Sequence, residues 1–123
     1  MMKEVKHNFK EIMFIELRDL RQDLELLIEE NRQRSENATI SERVFQENMA
    51  LFKNELIGLN EFSNILEETN SKDFMSLDDL IQELSRQFRA KVRTADLAEA
   101  IIICVERKMQ KVANYVLRCS QMT

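Results

Sequence analysis

Apolar residues recur at steps of three and four along nearly the whole chain, and this spacing predicts amphipathic α-helices. Between Lys3 and about Arg34 the stripe is Val5, Phe9, Ile12, Met13, Leu17, Leu20, Leu24, Leu27 and Ile28, with no breaker inside it. The polar stretch Arg32 to Thr39 reads as the first loop. The next stripe, Phe45, Met49, Phe52, Leu56, Leu59, Ser63 and Leu66, alternates four and three strictly. A seven-residue seam of that kind packs lengthwise along another helix. Two starts suit this second helix: Thr39 with Glu42 as a capping box, or Ser41 with Ile40 and Phe45 as a hydrophobic staple. Ser76 before Leu77-Asp78-Asp79 is the clearest helix start, because it places carboxylates in the first turn. Leu77, Leu80, Ile81, Leu84 and Phe88 follow, and then a regular stripe from Ala98 through Ile102, Val105, Met109, Val112 and Val116 to Cys119.

The fold class these patterns predict is all-α: an antiparallel bundle of four helices at about 3–34, 40–69, 77–91 and 95–120. The alternative is three long helices with 77–120 continuous, since four–three alternation carried backwards from Ala98 is interrupted only at Lys91. Such a helix would run to about 66 Å against about 45 Å for each of the first two. Matching lengths therefore calls for a break near Arg93 to Ala95, where Thr94, or Asp96 with Glu99, can serve as a cap.

The chain has 123 residues, no Pro, no Trp and one Gly. One domain is expected at this length. The scarcity of turn formers excludes many-stranded sandwiches and barrels, and leaves no Gly-rich phosphate loop. The longest apolar run, Ala100 to Val105, is far short of the ~20 residues of a membrane span. Met1 to Lys10 has no apolar signal-peptide core, so a cytoplasmic address is the default expectation. Cys104 and Cys119, on one helix, would lie roughly 22 Å apart. That is too far for a disulfide, and both are expected as small core hydrophobes.

Two segments are apolar on every side. Ile12-Met13-Phe14-Ile15 and Ala100 to Val105 exceed the width of one buried stripe, and a helix apolar all round is covered all round. A second copy is the expected cover, making the chain a homo-oligomer, in the first instance a dimer, with Ile12, Phe14, Ile15, Ile101, Ile103 and Cys104 at the interface.

Candidate chemistry is sparse. The net charge of −4 is divided: residues 1–85 carry 10 Lys/Arg against 19 Asp/Glu, and residues 86–123 carry 8 against 3. Arg86, Arg89, Lys91 and Arg93 form a basic tract that could meet phosphates, which makes nucleic acid the alternative partner. A pI near 5.1 argues against it. Di-metal bundle sites use Glu-x-x-His pairs, and the single His7 has no such partner, so no metal or other cofactor is expected. Glu16, Asp19 and Asp23 read as a solvated face. No Ser/His/Asp or Cys/His arrangement is suggested, and catalysis is not expected. The string Lys6-His7-Asn8-Phe9-Lys10 is similar to the His-x-x-Lys pattern of histidine phosphotransfer domains, which are helical bundles of this size, in His7 and Lys10 alone. That resemblance implies a phosphorelay role. Glu11 and Ile12 depart from it, standing where such domains continue with small residues. The leading expectation is a non-enzymatic interaction protein of adaptor, chaperone or inhibitor type. The remote alternative is a phosphotransfer or metal-binding bundle.

Overall fold

A computed structural model describes residues 2–121, with side chains from Glu4 to Gln121. Four helices run in order: α1 (Met2–Glu36), α2 (Glu42–Glu68), α3 (Leu77–Thr94) and α4 (Ala100–Gln121), with a 3-10 turn at Ser71–Asp73 between α2 and α3. No helix among the described residues is long and apolar enough to cross a membrane.

The helix ends follow from local hydrogen bonding. Ser41 is the N-cap of α2, its side chain accepting from the Val44 N–H at 3.2 Å. Thr39 instead closes α1, its hydroxyl donating to the Arg34 carbonyl at 3.0 Å. Ser76 caps α3 through the Asp79 N–H at 3.1 Å, as its spacing predicts. With glycine absent from the turns, two L-residues take the left-handed conformation: Ala38 at φ 56° and Asp96 at φ 54°. Each sits in a Schellman motif. Thr39 N–H bonds Arg34 C=O at 2.9 Å and Ala38 N–H bonds Ser35 C=O at 3.1 Å; Leu97 N–H bonds Val92 C=O at 2.9 Å and Asp96 N–H bonds Arg93 C=O at 3.3 Å. The second motif separates α3 from α4, so the continuous-helix alternative is set aside. Thr94 ends α3, its hydroxyl donating back to Ala90 and Lys91, and α4 starts at Ala100 instead of 95.

The helices alternate in direction. Arg21 meets Asn60 and Asn31 meets Asn48 across α1 and α2. Lys91 meets Glu61 across α2 and α3, and Arg89 meets Glu106 across α3 and α4. Lys108 meets Glu16 across α4 and α1. One core joins all four, including Phe9, Met13, Leu17, Phe62, Leu66, Leu84, Phe88, Val105 and Met109. Phe62 and Phe88 pack edge to face, ring centres 5.1 Å apart. Two lysines of α1 hold the α2–α3 connection: Lys6, only 7% exposed, donates to the Phe74 carbonyl, and Lys10 donates to the Thr69 carbonyl at 2.7 Å. The carbonyl end of α2 favours positive charge there.

The helices differ in length. The Ala98 N–H donates to the Asn54 side chain, so the α3–α4 link lies level with the middle of α2. Beyond that level α1 and α2 continue as a two-helix arm for about 10 residues, or ~15 Å.

Gly58 lies where α4 begins. A Cβ on it would come within 2.8 Å of Ile101 Cγ1. Gly58→Ala gains about 1 kcal/mol of helix propensity, but overpacking a core of this kind costs about 1–3 kcal/mol. We expect a net loss of about 1 kcal/mol in urea unfolding, turning into a gain when the same change is made on an Ile101→Ala background.

Candidate interaction surface

The two all-round apolar belts divide between core and surface. Ile101 is 3% exposed and packs on Gly58, so it belongs to the core of its own chain and not to an interface. Ile12 and Phe14 are half-buried against that same core. Neighbouring helices of one chain thus cover much of both belts, because α1 and α4 each pack on all three other helices. Ile15 (48% exposed), Ile103 (56%) and Cys104 stay on the surface. They do not form one patch: Lys108 lies against Glu16, which sets Ile103 about two turns along α1 from Ile15. Both cysteines are exposed free thiols, a correction to the expected core positions. Partial burial, with the Glu55 carboxylate, raises the Cys104 thiol above its ordinary pKa against the opposing pull of Lys108 and Arg107. This keeps it in the less reactive protonated form.

Unexpected apolar surface lies on the arm. Leu26 (69% exposed), Leu27, Val44 and Leu51 are all exposed there. Leu26, Val44 and Leu51 are off the stripes traced in the sequence. The signal that could have found this surface is the mismatch of helix lengths: a third helix ending near Lys91 cannot cover a first helix that runs to Arg34.

The basic tract is largely neutralised within the chain. The Arg86 guanidinium is held by both carboxylate oxygens of Glu83, and Arg89 makes two bonds of 2.7 Å to Glu106. Lys91 lies 3.7 Å from Glu61. Arg93 makes no ion pair among the described residues. The Arg86 bond, helped by Gln87, lowers the Glu83 carboxyl from its ordinary value. The Arg89 bond, helped by the Ser85 hydroxyl, lowers Glu106 against the opposing effect of burial.

Other candidates are dispersed. His7 is exposed, 4.0 Å from Glu11, on the second turn of α1. Glu16 is paired with Lys108 at 3.3 Å, so it is not simply part of a solvated face. Among the described residues no group of three His, Cys, Asp or Glu is placed to hold a metal ion. A shallow groove of about 650 Å³ runs between α1 and α4 past Val5, Ile12, Tyr115 and Val116. Comparison with protein-family models, with curated proteins and with solved structures finds no match.

The Glu106 pairing has a definite pH signature. Its folded-state pKa is depressed, so its contribution is fully present above the unfolded carboxyl value of about 4.3 and disappears as pH falls through the lower folded value. Glu106→Gln should therefore be less stable than the parent at pH 7. The gap should close in strong acid, as read from urea midpoints at each pH.

Proposed function

We propose that this chain is a non-enzymatic, cytoplasmic interaction protein that works through protein–protein contacts and self-association, in the manner of an adaptor, chaperone or inhibitor. The observation that carries the reading is the apolar surface left outside a core that is already complete. Single exposed apolar residues are ordinary. Here, Leu26, Leu27, Val44 and Leu51 fall together on one projecting arm, and Ile15 and Ile103 add to them on the bundle. Exposed apolar surface that is grouped in this way marks contact sites. The two free thiols suit a reducing compartment. No observation favours nucleic acid, since Arg86, Arg89 and Lys91 are already matched by carboxylates.

Static light scattering from low to high micromolar protein tests the self-association. A mass rising above that of one chain, and reduced by Ile103→Glu, is expected. A single-chain mass at every concentration would contradict it. In-cell crosslinking of the parent beside Leu26→Glu and Ile103→Glu tests the partner. A crosslinked protein captured by the parent and lost from these variants is expected.

A further inference from the structure

We infer that the outward ridge of α4, with the α3–α4 groove beside it, docks an acidic segment of a partner protein. This inference rests on the interaction reading above and names the chemistry of one partner. Of the eight cations after residue 85, four are matched within the chain: Arg86, Arg89, Lys91 and Lys108 each face a carboxylate. Arg93, Arg107, Lys111 and Arg118 make no ion pair among the described residues. Arg93 belongs to the last turn of α3, and the other three share α4.

Helix period sets those three in one line. Arg107, Lys111, Asn114 and Arg118 follow at steps of four, three and four, and all are exposed. They stand opposite the buried row Val105, Met109, Val112 and Val116, so the ridge points away from the core. It rises about 16 Å from end to end. After Glu106, which Arg89 holds, α4 contains no acidic residue. Apolar contact is at hand as well: Ile103 precedes Arg107 by one turn, Tyr115 follows Lys111 by one, and both are exposed.

Charge selects the occupant and the side on which it lies. Helices α3 and α4 carry 8 Lys/Arg against 4 Asp/Glu, a net +4 on a chain of net −4. Setting aside Lys91 and Lys108, which turn to Glu61 of α2 and Glu16 of α1, leaves +2 on the face the two helices share. The opposite shoulder of α4 is acidic: Glu4 and Glu11 line the groove past Tyr115, and Glu55 of α2 lies by Cys104. An anionic segment therefore lies along the ridge toward α3. There a groove of about 500 Å³ offers Ile81 and Met109 for apolar contact and the side-chain amides of Gln82 and Gln110. A single helix or extended segment fits this strip, whereas a nucleic-acid duplex or a lipid surface would also bear on the acids of the other shoulder.

The test uses labelled peptides of about 12 residues, long enough to span the ridge. One is a Leu/Glu amphipathic helix and the other its Leu/Gln counterpart, each titrated with the full chain by fluorescence anisotropy. A single-stranded DNA of similar length is titrated beside them. The Leu/Glu peptide should bind, more weakly as salt is raised, and the Leu/Gln peptide should bind at least about tenfold less well. Replacing Arg107, Lys111 and Arg118 together by Gln should weaken Leu/Glu binding about tenfold, the combined loss of three exposed charge pairs. The same replacement of Lys53, Lys72 and Arg93 removes equal charge from cations that are also free of ion pairs, and should leave binding unchanged. Failure of the Leu/Glu peptide to bind, an equal loss in both triple variants, or tighter binding of the DNA overturns the inference. So does self-association lost in the ridge variant, since the occupant would then be a second copy. A crosslinked partner that the ridge variant still captures overturns the inference too, and leaves the interaction reading standing.

Discussion

The turn at Asp96 governs the shape of the molecule. From Ser76 to Thr123 the chain has neither Gly nor Pro, and its apolar phase would carry a helix straight through. What stops α3 is a Schellman motif with an aspartate in the left-handed region, a conformation that costs most L-residues about 1–2 kcal/mol and that Asp tolerates better. Leu97, the residue that follows, packs against the core and helps hold the turn. The same solution closes α1 at Ala38. Both of these turns rely on carbonyl capping instead of glycine's freedom, and the one at Asp96 is held by the burial of Leu97 as well.

Placing the stop there fixes the division between body and arm. α3 and α4 fold back on each other and cover only one end of the α1–α2 hairpin. In that body four helices share a core, and Gly58 lets α4 approach α2 at its start. In the arm two helices share a narrower seam, ordered by Asn31 and Asn48, a polar pair of the kind that fixes register at some expense of stability. The apolar rows run through both parts without regard to the change in cover. The exposure of Leu27, which continues the α1 stripe past Leu24, follows from that continuity.

Much of the fold is legible in the residues themselves. The Ser76 cap, the lengthwise packing of α2 and the long first helix follow from spacing and capping chemistry. The choice between Thr39 and Ser41 does not, because both satisfy the same local rules and only the closing of α1 around Ala38 assigns Thr39 to the preceding turn. The α4 start is misplaced from sequence for a similar reason: Thr94, Asp96 and Glu99 look like start signals, yet Thr94 bonds backward into α3. The surface was harder still. A belt such as Ile12 to Ile15 is apolar all round, but whether a neighbour is the same chain or another copy depends on tertiary placement. Ile101 goes inward onto a glycine, whereas Ile103 goes outward, and helix period alone does not tell which side of a bundle is occupied.

The body and the arm both stand on the folding back at Asp96. It is tested most directly by the distance between spin labels at Gln82 and Gln110, in a background with Cys104 and Cys119 replaced by serine. Both residues border the same groove between α3 and α4, and neighbouring helix axes lie about 8–10 Å apart, so the labels should be within roughly 20 Å of each other. A separation near 42 Å, the rise of a continuous helix over that stretch, would contradict the account.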